Sequence, residues 1–83
     1  MTPVEKLLAT ARAEIGYIEK ESNSQLDSPT ANPGDNNWNK YARDLDALDI
    51  VYNGDKNGYA WCDIFVDWCF IYTFGLELGM ALL

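Results

Sequence analysis

The stretch from Cys62 to Phe74 decides most of what this chain can fold into. Over these residues only Asp63, Asp67 and Thr73 are clearly polar, and Gly75 interrupts the run. The pattern predicts a helix over 62–74. A helix that is apolar nearly all round must be covered nearly all round. The fold is therefore set by how many other elements the sequence can lay against it.

Two are legible. Thr2, Pro3 and Glu5 give the N-cap, first-turn proline and capping-box pattern of a helix start. Val4, Leu7, Leu8, Ala11 and Ile15 then recur at helical spacing up to Gly16, so a helix is expected over about 2–16. A second, shorter helix is expected over about 38–48, with Trp38, Tyr41, Ala42, Leu45 and Leu48 on its apolar face. Between them, residues 22–37 are rich in Ser, Asn, Asp, Pro and Gly. They form a loop longer than most connections in compact domains, and such loops are often functional. Asn53–Gly58 is a strong turn signal. No segment reads as a strand, and no repeat is present. Two helices cover about two sides of the third, and Met80, Ala81, Leu82 and Leu83 are left with no partner. The sequence thus points to a missing layer, a sheet or further helices beyond Leu83.

Composition narrows the function classes. At 48% hydrophobic residues, the 83-residue chain is too apolar for intrinsic disorder. Its formal charge of −7 disfavours nucleic acid, whose phosphates demand clustered Lys and Arg, and equally disfavours anionic membrane surfaces. The N-terminus has neither the basic start nor the apolar core of a signal peptide. The apolar stretch 70–83 contains Glu77 and is shorter than the roughly twenty residues that span a bilayer, so no membrane insertion is expected.

Cys62 and Cys69 are the only cysteines. Seven helical residues separate them by roughly 10.5 Å, beyond the roughly 7 Å a disulfide allows, so both thiols are expected to be free. Cys69, deep in the apolar run, fits a core position. Cys62 falls where the Gly-rich turn meets the helix. The unpaired N–H groups of a first helical turn favour thiolate over thiol, and the thiolate is the form that attacks carbonyls. Such N–H groups can also hold the oxyanion of a tetrahedral intermediate. Asp63 opposes this, because an adjacent carboxylate disfavours a second negative charge. By position alone Cys62 also suits a small buried hydrophobe. Trp61, Phe65, Trp68 and Phe70 read as core.

The run Tyr59-Ala60-Trp61-Cys62-Asp63-Ile64-Phe65-Val66-Asp67-Trp68-Cys69-Phe70 resembles the active-site helix of the CHAP and NlpC/P60 families, papain-like amidases and endopeptidases that cut peptidoglycan, many of them phage endolysins. Ile15–Glu19 with Ser22-Asn23, and Trp38–Ala42, are similar to the lead-in of such domains. The resemblance covers nearly the whole chain. It implies a papain-like α+β fold of which this chain is the mostly α-helical N-terminal half, about three helices with the sheet largely or wholly absent. It also implies cleavage of cell-wall peptide by Cys62 as nucleophile, with Trp61 and Asp63 flanking it, no cofactor, and action on the bacterial cell wall. Family members carry a histidine base on the sheet after this helix; this sequence contains no histidine. The resemblance therefore implies a domain truncated before its base and inactive alone.

Two other readings stand beside this one. Asn53, Asp55, Asn57 and Gly58 match positions one, three, five and six of a calcium loop, but Ile64 stands where position twelve requires a bidentate Glu. Alternatively, the chain is a non-catalytic helical fragment that binds another chain, or itself, through its uncovered helix.

Overall fold

A computed structural model describes residues 1–83. It contains four helices and no strand: α1 (Pro3–Arg12), α2 (Lys40–Leu48), α3 (Cys62–Phe74) and α4 (Leu76–Leu82). The only ladder pairing is a pair of isolated bridges, from Lys20 to Pro33 and from Lys20 to Trp38.

The first helix starts as its sequence dictates. The Thr2 hydroxyl accepts from the Glu5 N–H, and the Glu5 carboxylate accepts from the Thr2 N–H. It ends earlier than the expected residue 16. After Arg12 the bonds tighten to three-residue spacing, from Glu14 N–H to the Ala11 carbonyl and from Ile15 N–H to the Arg12 carbonyl. The expected apolar face is only partly used. Leu7 and Ala11 pack on the core, whereas Val4 and Ile15 are 65% and 82% exposed. Shortening α1 turns Glu14 toward α2 instead, where it accepts from the Tyr41 hydroxyl and pairs with Lys40.

The second helix begins at Lys40 rather than 38, because Asn39 is its cap: its Oδ1 accepts from the Ala42 N–H at 2.8 Å. Trp38 lies outside the helix and exchanges both backbone hydrogen bonds with Lys20. Tyr41, Ala42 and Leu45 form the buried face, as their spacing predicts.

The expectation of about three helices is corrected by α4. Gly75 interrupts the apolar run as expected, but the residues after it fold back as a helix against α3. Gly79 makes this possible. A Cβ there would lie 2.7 Å from the Ile71 Cα, so only glycine lets the two backbones approach this closely. Met80, expected to be unpartnered, packs against the core.

Tyr41, Ala42, Leu45, Ile64, Trp68, Cys69 and Ile71 make that core. Tyr41 is its hub: Trp61 stacks on it at 5.7 Å, and Tyr17, Phe65 and Trp68 meet it edge-on at 4.8–4.9 Å. Such pairs add about 0.5–1.5 kcal/mol each beyond area burial. The shortest extent of the Cα trace is 16 Å. Helix axes pack about 8–10 Å apart, so this is two helix layers and not three. Val66 on α3 stays 50% exposed as a result, and α1 has no buried residue. No helix is long and apolar enough to cross a membrane.

Candidate functional site around Cys62

The approach to Cys62 is fixed by two side chains and a glycine. Asp46, on α2, accepts the backbone N–H groups of Lys56 and Asn57 at 2.9–3.1 Å. Asn57 then clamps the α2 cap, its Oδ1 accepting from the Asn39 N–H and its Nδ2 donating to the Asn39 carbonyl. Gly58 follows at φ +93°, a conformation an L side chain adopts only under strain, and a Cβ there would lie 3.5 Å from the Trp38 ring. Four residues later, at Cys62, the chain enters α3.

Trp61 occupies the N-cap position without capping, and the first intrahelical bond runs from the Phe65 N–H to the Trp61 carbonyl. No side chain caps the N–H groups ahead of it. Cys62 is the first residue of α3 and its side chain is exposed, which puts a sulfur in solvent beside uncapped helical N–H groups. Asp63 is also exposed and makes no ion pair. Trp61 turns the other way. Its ring stacks on Tyr41 and its Nε1 donates to Glu19 Oε1 at 3.2 Å. The three sequence-predicted site residues therefore divide: Cys62 and Asp63 face solvent, and Trp61 anchors the helix start to the aromatic cluster.

Glu19 belongs to the lead-in run, and its sequence position assigns it no role at the site. Its second oxygen accepts from the Asn37 N–H at 3.1 Å, so one carboxylate ties the end of the long loop to the residue before Cys62. Tyr17 also bridges distant segments. Its hydroxyl accepts from the Lys40 N–H and donates to the Leu26 carbonyl, closing the loop over α2. Both residues act across many intervening positions, a relation that local spacing does not encode.

The loop itself is ordered by Asn32, whose amide donates to the Ser22 carbonyl, the Ser22 hydroxyl and the Ser24 carbonyl. Beside Trp61 a groove of about 230 Å³ runs between Ala11, Ile15, Tyr17, Tyr41 and Phe65. A second cleft of about 390 Å³ lies beside the 53–58 turn, lined by Trp38, Arg43, Asp46, Asp55 and Asn57 together with Asn23 and Ala47.

Cys69 lies in the core as its place in the sequence predicts, and burial pushes its thiol up to about 11. Both cysteines are free. In the calcium-loop reading Asn57 and Ile64 would face the ion; here the Asn57 amide group is committed to Asn39, and Ile64 is buried in the core. No group of three or more His, Cys, Asp or Glu side chains is placed to hold a metal ion.

No family model matches this chain, and neither a curated protein nor a solved structure shows significant similarity to it.

Proposed function

We propose that this chain is the nucleophile-bearing, helical half of a papain-like cysteine hydrolase domain of the CHAP or NlpC/P60 kind, acting on the peptide of bacterial cell walls. One observation carries the reading: the exposed sulfur of Cys62 sits on the first residue of a helix whose leading N–H groups are uncapped. The thiolate would add to an amide carbonyl, and the oxyanion so formed would lie against those N–H groups. Collapse of that intermediate breaks the C–N bond, leaves a thioester on Cys62, and requires a proton for the departing amine. Water then hydrolyses the thioester. The proton carrier would be an imidazole from polypeptide outside these 83 residues, since the chain has no histidine. Trp61 serves as a positioning residue through Tyr41 and Glu19.

The test compares the 83-residue chain with a version extended through a histidine-bearing sheet, both assayed on purified cell walls. Lysis is expected only from the extended form and is lost in Cys62→Ser. Without an acid–base partner the short chain should be slower by about 10²–10⁴-fold. Robust lysis by the short chain, or lysis that survives Cys62→Ser, refutes the assignment.

A second reading is favoured by the half-exposed Leu8 and Val66, which border an apolar groove between α1 and α3. On that reading the chain is an interaction module without catalysis. It predicts that Cys62→Ser changes nothing, whereas Val66→Asp abolishes complex formation.

A further inference from the structure

The cleft beside the 53–58 turn has the chemistry of a carbohydrate site. We propose that it binds a saccharide, with one face of a sugar ring on Trp38 and hydroxyls on Asn23, Asp55 and the free edge of Arg43. Its volume of about 390 Å³ lies within the range of small-ligand sites, roughly 300–1,000 Å³.

The walls divide into groups already spent and groups still free. Asp46 accepts three hydrogen bonds from the Lys56 and Asn57 backbone, and Asn57 is held by Asn39. These contacts make one wall rigid, so little conformational entropy is lost when a ligand enters. Arg43 is fixed from behind by Asp27 and Asp44 through its Nε and Nη2, which leaves Nη1 unpaired. Asn23, Asp55 and the Trp38 Nε1 make no hydrogen bond within the chain, although all three residues line the cleft.

What remains is an aromatic plate ringed by both donors and acceptors. A phosphate or carboxylate ligand would meet Asp55 and Asp46. A cation would meet Arg43, with only the Asp55 charge uncommitted. A neutral polyhydroxyl ring suits the set: its C–H face is apolar, and each hydroxyl can both donate and accept.

The cleft wall is joined to the thiol by a short piece of chain, since Asn57 lines the cleft and Cys62 follows five residues later. A Cβ on Gly58 would lie 3.5 Å from the Trp38 ring, and four residues of chain bring Cys62 within about 14 Å of Gly58 even if fully extended. A glycan strand held on Trp38 would place its attached peptide within reach of Cys62. This last step rests on the hydrolase reading; the binding does not.

The experiment is a titration of the ¹⁵N-labelled 83-residue chain with the trimer of N-acetylglucosamine, read by heteronuclear NMR. The expected result is a saturable shift of the Trp38 indole N–H and the Asn23 side-chain amide. The Trp61 and Trp68 indoles, already bonded to Glu19 and Asp44, should stay in place. Trp38→Ala removes the plate and should abolish binding. Because Trp38 also pairs with Lys20, a second variant is needed: Asn23→Ala with Asp55→Ala changes two exposed side chains that bond to nothing in the chain. It should keep the parent spectrum and weaken binding by about fivefold or more, the loss of at least one net hydrogen bond. The proposal is overturned if the trimer causes no saturable shift, if shifts centre on the Trp61 groove, if the double variant binds as tightly as the parent, or if a lysine-containing peptide shifts these signals and the sugar does not. Trimer binding with lysis unaffected by Cys62→Ser would sink the hydrolase reading and leave the saccharide site standing; the reverse pattern would do the opposite.

Discussion

The two cysteines should differ sharply in their reaction with iodoacetamide, by an amount the structure sets. Burial pushes the Cys69 thiol up to about 11. At pH 7.5 its thiolate fraction is then about 3 in 10,000, against about one in ten for an ordinary exposed thiol near 8.5, a deficit of roughly 300-fold. A more basic thiolate is intrinsically more nucleophilic, with a Brønsted coefficient of about 0.4–0.5, which returns roughly 10- to 18-fold. Ionisation alone should therefore slow Cys69 by about 20- to 30-fold relative to an exposed thiol, before its 4% exposure is counted. Raising the pH separates the two causes. Near pH 10 the thiolate deficit shrinks to about tenfold and the nucleophilicity gain cancels it, so any remaining protection is steric. The assay is timed alkylation followed by peptide mass spectrometry, with a guanidinium-unfolded control in which both sites label. Modification of Cys69 within a few-fold of Cys62 at pH 7.5 would refute the packing of α3 against α1 and α2, and with it the sidedness of Cys62.

Three further outcomes follow from particular contacts. Lys20 is fully buried, its amine has no hydrogen-bond partner, and it lies 4.8 Å from the Tyr17 ring centroid. The cost of an unpaired buried polar group exceeds the cation–π gain, so Lys20→Met should stabilise the fold by about 1 kcal/mol at pH 7 in urea melts. Burial lowers the Lys20 pKa, so the unfolded chain binds more protons and the Lys20 contribution improves as pH rises toward the unfolded value of about 10.4. The wild-type minus Lys20→Met difference in stability should shrink over that range, and a difference that grows would reverse the sign argued here. Asn39→Ala removes the α2 cap and a buried side chain that also donates to the Asn37 carbonyl, so a loss of about 2 kcal/mol is expected by the same melts. Gly79→Ala gains roughly 0.8–1.0 kcal/mol of helix propensity, but its methyl meets the Ile71 backbone at 2.7 Å, and overpacking costs about 1–3 kcal/mol. A net loss of stability is expected, and a more stable variant would show that α4 does not sit on α3.

The sequence speaks plainly wherever local chemistry is decisive. The capping box at Thr2–Glu5, the spacing of Tyr41, Ala42 and Leu45, and the apolar run of α3 each produce the element they predict. Cys62 stands at its helix start because Asn57 and Gly58 form the turn their composition announces. Local patterns mislead where a distant partner outvotes them. Trp38 has helical spacing to Tyr41 and Ala42, yet it pairs with Lys20. Ile15 continues the apolar face of α1, yet Glu14 is drawn to Tyr41 and Lys40, and the helix tightens before reaching it. The tail after Gly75 looks unpartnered because a small residue such as Gly79 signals close backbone approach only once the opposing helix is known. Glu19 and Tyr17 bridge the loop to α2 and α3 from 18 or more residues away, and no periodicity reports such contacts.

The exposed sulfur and the uncovered apolar surface are two aspects of one face. Cys62, Val66 and Cys69 follow one another at four and three residues along α3, which places them in one line on a helix. Cys69 is 4% exposed, at the floor of the apolar groove it lines with Leu7, Leu8 and Ala11. Val66 is half-exposed, and Cys62 lies open. The cover over α3 therefore thins steadily toward the end that bears the thiol. A polypeptide segment laid on Val66 to exclude water would also border Cys62, because one helical turn advances only about 5.4 Å. A segment that covered Val66 and one that brought functional groups to the sulfur would therefore meet the same face of α3. Any partner segment that raises the melting temperature by covering Val66 should also change the alkylation rate of Cys62. A partner that stabilises the fold while leaving that rate untouched would separate the two and show that the thiol is not part of the exposed apolar face.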